Sequence, residues 1–274
     1  MITKNDSNIY ESISAILHQE FTDYEIIIVD SSSENHGTDY EKMSHIKYIH
    51  DSDSNFLKAR LTANKVANGD YVLLLDSTRV IGKDVLKECS NLGKVNDMVI
   101  IPETNKSKSF ILNENCKVKM DDKYVLSNCN PINGIYLPRF YNKKILDEAY
   151  DKVLNNIPKN KINSICSLED RMLYLEASKI SNKMGVCENF LIHRESDSLM
   201  SYFKKYYRYG ECNYYVFSKV GSYSQLGNPK VKKENKGDYI YNNSIKNKIL
   251  FFIRLIAFLF GFFIGKFKYQ KNSL

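Results

Sequence analysis

Two apolar runs, YEIIIVD at residues 24–30 and YVLLLD at residues 71–76, constrain the fold of this chain more than anything else in it. Both are short, nearly continuous stretches of β-branched and aliphatic residues. A strand apolar on both sides must be covered on both sides, which points to a parallel sheet with helices packed over each face. The segments between and around them agree. Ile9, Ile13, Ile16 and Leu17 recur at helical spacing and predict a helix over 7–19, with Asp6 or Ser7 as its cap. IKYIH at 46–50 reads as a short strand, residues 56–67 as a helix, and Asn68-Gly69-Asp70 as a turn. A helix over 82–92 and a strand over 98–102 continue the alternation, which implies right-handed crossovers and ligands beyond the carboxyl ends of the strands. Asp30 and Asp76 both fall at such ends.

Beyond residue 102 the pattern changes. Residues 103–128 are polar and give no clear element; helices are expected over 142–154, 168–183 and 199–209. Residues 221–244, rich in Gly, Ser, Asn and Lys, read as a linker between a body of residues 1–220 and a tail of residues 245–274. In 274 residues with 43% hydrophobic content, one large α/β core is expected. The six cysteines lie at least 13 apart with no metal-ligand spacing, so they read as reduced structural thiols. MITKNDSNIYES contains no apolar segment of a secretory signal, which favours a body that stays in the cytoplasm.

The net charge of +7 is concentrated at the end. Residues 230–274 hold ten Lys or Arg against Glu234 and Asp238, a balance of +8, which leaves −1 for residues 1–229. That excess flanks ILFFIRLIAFLFGFFIG at 249–265, and lysines beside an apolar run suit an anionic membrane surface better than nucleic acid. Nucleic-acid binding is therefore not expected. Seventeen residues make about 25 Å of helix against a hydrocarbon core of about 30 Å, and Arg254 interrupts the run. An interfacial or re-entrant anchor, a full span and a buried core helix are the three readings this leaves open.

A carboxylate at the end of a buried strand must cap a loop, meet a cation or hold a ligand. For Asp30, followed by three serines, and for Asp76, the loop-capping and ligand readings both stand on the residues alone. The order of motifs adds to this. TKN at 3–5, LHQEF at 17–21, EIIIVDSSS at 25–33, KAR at 58–60, ANGDYVLLLDST at 67–78 and LEDR at 168–171 follow one another as they do in the family 2 inverting glycosyltransferases, which this chain resembles over most of residues 2–210. The resemblance implies a GT-A-like fold with a mostly parallel sheet flanked by helices, followed here by a hydrophobic C-terminal helix.

It also implies roles. Thr3, Asn5, Asp30, Arg60 and Asp76 would line the donor pocket, and Asp170 would be the base that takes the proton from the attacking hydroxyl. Glu169 and Gly134 would lie on the acceptor side, and Asp76 with His193 would hold a divalent cation, Mg²⁺ or Mn²⁺. This sequence departs from the family's Asp-x-Asp signature: it reads Asp76-Ser77-Thr78-Arg79, so the second aspartate is a threonine and an arginine follows. The cation is then expected to bind weakly, and Arg79 either neutralises part of the leaving group or points outward from a loop. KYYRY at 205–209 departs from the Gln-x-x-Arg-Trp of processive synthases, which argues for addition of a single sugar. Only Met1 and Ile2 precede the Thr3 turn, so either the true start lies upstream or the first strand is a stub.

The resulting expectation is transfer of one sugar, with inversion, from a nucleotide-sugar donor to a lipid-linked or cell-surface glycan acceptor, at the cytoplasmic face of a membrane. Two alternatives remain beside it: a polyprenyl-phosphate sugar synthase, and a nucleotide-sugar-binding protein that has lost turnover.

Overall fold

The computed structural model describes residues 1–6, 8–40, 43, 45–109, 112, 116–117, 125–127, 129–132, 136–227, 240–241 and 245–270. The apolar run at 24–30 is the strand β2 (Ile26–Asp30), buried at every position. β1 (Ile2–Thr3) and β3 (Ile46–His50) flank it in parallel, pairing Thr3 with Asp30 and Asp30 with His50. β1 is two residues long, yet it is bonded on both sides. The Ile2 N–H donates to the Leu75 carbonyl at 3.0 Å, and the Ser77 N–H donates to the Ile2 carbonyl at 2.9 Å. Through that bridge the sheet continues into β4 (Tyr71–Leu73), β9 (Pro138–Asn142), β6 (Met98–Ile100) and β10 (Met184–Val186). β9 alone runs against its neighbours. The sheet is mostly parallel.

Successive residues of its central strands point to opposite faces and feed two cores. Leu75 and Val99 join Ile9, Ile13 and Ile16 of α1 (Ile9–Leu17) and Val85 and Cys89 of α4 (Val85–Gly93) on one face. Leu74 and Met98 join Leu57 of α3 (Phe56–Val66), preceded by the short α2 (Gly37–Tyr40), and Leu146, Tyr150, Met172 and Leu173 of α5 (Lys143–Asn156) and α6 (Glu169–Ile180) on the other. Asn8, not Asp6 or Ser7, stands at the N-cap of α1; Ser7 lies outside the described residues.

Three features depart from the sequence reading. A second small sheet of β5 (Arg79–Ile81), β11 (Leu191–Arg194) and β7 (Glu103–Lys106) closes over the end of the first, using part of the polar stretch that gave no clear element. β7 is polar throughout, and Arg79, Lys106, His193 and Arg194 of these strands line a cavity. The expected linker is partly structured: Gly221–Gly227 forms a 3₁₀ turn that buries Tyr223 and Leu226 in the larger core, and Ile240–Tyr241 (β12) pairs with Cys116–Lys117 (β8). The helix expected to stop at 209 is α7 (Leu199–Lys219) and runs straight through Gly210.

Gly210 serves packing there. A methyl group on it would lie 2.0 Å from the Phe258 carbonyl of α8 (Ile245–Gln270), and one on Gly261 would lie 1.9 Å from the Tyr207 carbonyl. Glycines at these two positions let α7 and α8 lie side by side, backbone against backbone. Lys268 Nζ also meets Glu211 Oε1 at 2.5 Å. The face of α8 on α7 buries Leu250, Ala257 and Tyr269, while Ile249, Phe252, Ile256, Phe260, Phe263 and Phe267 are each more than half exposed. The tail is therefore neither a buried core helix nor a detached one.

Candidate active site

The carboxyl ends of β1 and β4, the small sheet, the N-terminus of α6 and the facing sides of α7 and α8 enclose a cavity of about 1230 Å³. Among the described residues, two of the three non-glycine residues with left-handed backbone line it: Asn5 (φ 51°), in the turn after β1, and Leu168 (φ 68°), just before α6. Asparagine tolerates that conformation; leucine does so at a cost, and such strain persists where the surroundings hold it. The twist at Leu168 presents the first turn of α6, with Glu169 and Asp170, to the cavity.

Five charged groups meet behind those carboxylates. Arg60, on α3 and 3% exposed, donates from Nη2 to Asp76 Oδ1 at 2.5 Å and holds its Nε 3.5 Å from Glu169 Oε1. Arg79, the first residue of β5, closes on the other Asp76 oxygen through Nη1 and places Nε 3.0 Å from Glu103 Oε1. Arg139 of β9 shares that Glu103 oxygen at 2.7 Å and lies 3.8 Å from Asp170 Oδ2. The result is a chain of alternating charge from Asp170 through Arg139, Glu103, Arg79 and Asp76 to Arg60 and Glu169.

The environment divides the carboxylates. Burial pushes Glu169 up to about 7, with the Asp170 charge adding to it and Arg60 opposing. Burial would raise Glu103 as well, but Arg139 and Arg79 outweigh it and hold that group well below the usual carboxylate range. His193 sits on β11 opposite Arg79, its Nδ1 3.6 Å from Glu195 Oε1. Burial, reinforced by Arg79, lowers it to about 3, so its imidazole is neutral at physiological pH.

Residues 1–111 match the family model described as glycosyl transferase family 2. The match spans 111 of the 274 residues, all in the N-terminal half of the chain. Over 105 residues the chain is 30% identical to poly(ribitol-phosphate) beta-N-acetylglucosaminyltransferase TarP of Staphylococcus aureus; the aligned segment is 35% of this chain and about a third, 32%, of that relative's length. Crystal structures of S. aureus TarS share the fold. A TarS fragment with UDP is matched over 99% of this chain and 90% of its own, at a TM-score of 0.56 and 14% identity. A UDP-GlcNAc complex is matched over 95% and 80%, at a TM-score of 0.53 and 16% identity.

Of the sequence-predicted residues, Thr3, Asn5, Arg60, Asp76, Arg79, Glu169, Asp170 and His193 all line the cavity. Gly134 lies outside the described residues. Asp30 does not line the cavity: it is 2% exposed, its Oδ1 accepts from the Ser32 N–H at 2.8 Å and the Ser32 hydroxyl at 2.5 Å, and its Oδ2 accepts from the Tyr48 hydroxyl at 2.9 Å. Its carboxylate caps the loop, one of the two readings that the residues alone allowed. Arg79 points inward and is buried, which rules out the outward-pointing reading. Glu103 and the cavity lining that α8 supplies through Phe251, Leu255 and Phe258 were not singled out in the sequence, where Arg254 of the same lining figured only as an interruption of the apolar run. Glu103 follows the buried run MVIIP, so the strand-end rule that selects Asp30 and Asp76 would have found it.

The residues expected to hold a divalent cation do not fit one. Both Asp76 oxygens are taken by guanidinium groups, and a hard cation needs several oxygens. No cluster of three or more His, Cys, Asp or Glu suited to a metal occurs among the described residues. A charge of +2 about 4 Å from a single guanidinium is opposed by roughly 8 kcal/mol at an effective dielectric constant near 20.

Proposed function

We propose that this chain transfers a single sugar, with inversion, from a nucleotide-sugar donor to a lipid-linked or cell-surface glycan acceptor. The observation that carries this reading is the meeting of Arg60, Arg79, Glu169 and Asp170 at one cavity, within a fold whose TarS relatives are known in complex with UDP and UDP-GlcNAc. A UDP-sugar is accordingly the first donor to test. In the proposed reaction an acceptor oxygen attacks the anomeric carbon and gives its proton to Asp170. The bond from that carbon to the diphosphate breaks on the opposite side, and its electron pair leaves with the nucleoside diphosphate. Positioned general-base catalysis of this kind is worth about 10² to 10⁴ in rate. Asp170, with a quarter of its side chain exposed and an arginine 3.8 Å away, is open to an acceptor and oriented from behind.

The proposed location is the cytoplasmic face of a membrane. Free cysteines at 89, 129, 166, 187 and 212 suit a reducing compartment. The exposed phenylalanine and isoleucine row of α8, bounded by Lys246, Lys248, Lys266 and Lys268, suits an amphipathic helix lying in a headgroup layer. A perpendicular span would carry α7, with Lys204, Lys205, Arg208 and Glu211, into the hydrocarbon, so the interfacial reading is preferred. That α8 also lines the cavity supports a lipid-borne acceptor.

The test is hydrolysis of, and transfer from, a panel of UDP- and GDP-sugars by the membrane-bound full chain, wild type against Asp170→Asn. Transfer that falls about 10²-fold or more in the variant while UDP binding persists supports the assignment. Donor binding with no turnover in the wild type favours the non-catalytic binding protein instead.

A further inference from the structure

The proposed transfer, on which this inference rests, leaves a nucleoside diphosphate whose growing negative charge must be met. We infer that Arg79 and Arg60 meet it in place of a divalent cation, so that this site binds and activates its donor without metal.

Four observations carry this. Asp76, the residue that would anchor the metal, has one guanidinium on each oxygen, so a cation entering there must first displace an arginine. Its usual partner carboxylate is Thr78, and the nearby His193 already has Glu195 beside it. Arg79 is fixed from behind: Glu103 holds its Nε at 3.0 Å, and Arg139 braces the same Glu103 oxygen at 2.7 Å. Finally, Arg60 is buried at the cavity wall with Nη1 lacking any hydrogen-bond partner, a donor that a phosphate oxygen would satisfy.

Together these make a preorganised anion site. The guanidinium plane presents paired N–H groups to phosphate oxygens and keeps its proton at neutral pH. Asp76 and Glu103 hold the two arginines in place before the donor arrives, so little reorganisation accompanies the reaction. As the bond from the anomeric carbon breaks, its electron pair goes to a β-phosphate oxygen, and the charge is met by N–H donors with no proton transferred to the leaving group. Thr78, at the cavity wall, supplies a hydroxyl beside the same oxygens.

The experiment is titration of UDP into the full-length membrane-bound protein in EDTA and in MnCl₂, with the free Mn²⁺ signal followed by electron paramagnetic resonance. UDP affinity is expected to agree within about twofold between the two conditions, with no Mn²⁺ taken up beyond a UDP-only control. Arg79→Gln should weaken UDP binding by about tenfold and slow transfer by roughly 10². Arg79→Lys should recover part of the binding, and Mn²⁺ should rescue neither variant. Thermal unfolding of both variants checks that the buried pair with Glu103 has not been lost with the fold, and the wild-type Mn²⁺ titration decides the question without any variant. UDP binding that collapses in EDTA and returns with Mn²⁺ overturns the inference while leaving the transferase reading intact. No UDP binding in either condition removes both.

Discussion

Asp30 and Asp76 close two strands of the same sheet, each after a run of aliphatic residues, and they end in opposite roles. Three serines follow Asp30, and one of them, Ser32, turns back to fill Oδ1 while Tyr48 from the neighbouring strand fills Oδ2. The carboxylate is consumed locally and is not part of the lining of the cavity that Asp76 helps to form. Asp76 has no such neighbours; its partners are Arg60, from a helix, and Arg79, three residues on. Both of those cations line the cavity. The strand-end position brings a carboxylate near a binding edge, and the partners decide whether it works there.

The largest effect that would break this comparison is on activity. Asp76→Asn leaves Arg60 and Arg79 buried without their shared counter-ion, and transfer is expected to fall by roughly 10² to 10³. Asp30→Asn should leave kcat/KM within a few-fold of wild type and instead lower stability by about 1 to 3 kcal/mol, the cost of disturbing a buried hydrogen-bonded group. Steady-state kinetics beside urea unfolding on both variants separates the two. Equal loss of activity in each would return Asp30 to the donor pocket.

A smaller effect sharpens the comparison through pH. Glu169 belongs to the Asp76 network and is pushed up to about 7 from an ordinary 4.5, chiefly by burial. Between those values the native protein binds more protons than the unfolded chain, so this group's contribution to stability declines as pH rises, and the loss is complete above about 7. Relative to Glu169→Gln, wild-type stability should fall by up to about 3 kcal/mol between pH 4.5 and 8. Denaturant titrations across that range would show the difference slope, and parallel pH curves for the two proteins would refute it.

The same contrast explains what was legible in the sequence. β2, β4 and the helices around them announce themselves, because a strand buried on both faces has no polar residues to disguise it. The small sheet does not: β5, β7 and β11 carry Arg79, Lys106 and His193 to the cavity lining, so polar side chains break the apolar pattern that identifies a strand. Gly210 hid the length of α7 in a related way, since a glycine that admits another backbone reads like a helix stop. The resemblance located eight of the residues that line the cavity, but which carboxylate was already occupied depended on contacts such as Tyr48 with Asp30 and Arg60 with Asp76. Those contacts join residues 18 and 16 positions apart. No local pattern reports them.

The smallest effect lies at Tyr48. Its hydroxyl donates to Asp30 Oδ2 at 2.9 Å and accepts from the His36 N–H at 3.0 Å, so it ties the loop after β2 to β3. Tyr48→Phe keeps the ring stack with Tyr40, at 5.2 Å between centroids, and removes only the oxygen. If Asp30 is a loop cap, the variant should lose about 1 to 2 kcal/mol, with no change in UDP affinity, because a buried carboxylate has lost one of its donors. If Asp30 contacts the donor base, its freed oxygen would reorient and UDP affinity would shift with stability. Measuring both on one variant keeps the two roles distinguishable, since the substitution touches neither the cavity wall nor the arginines that line it.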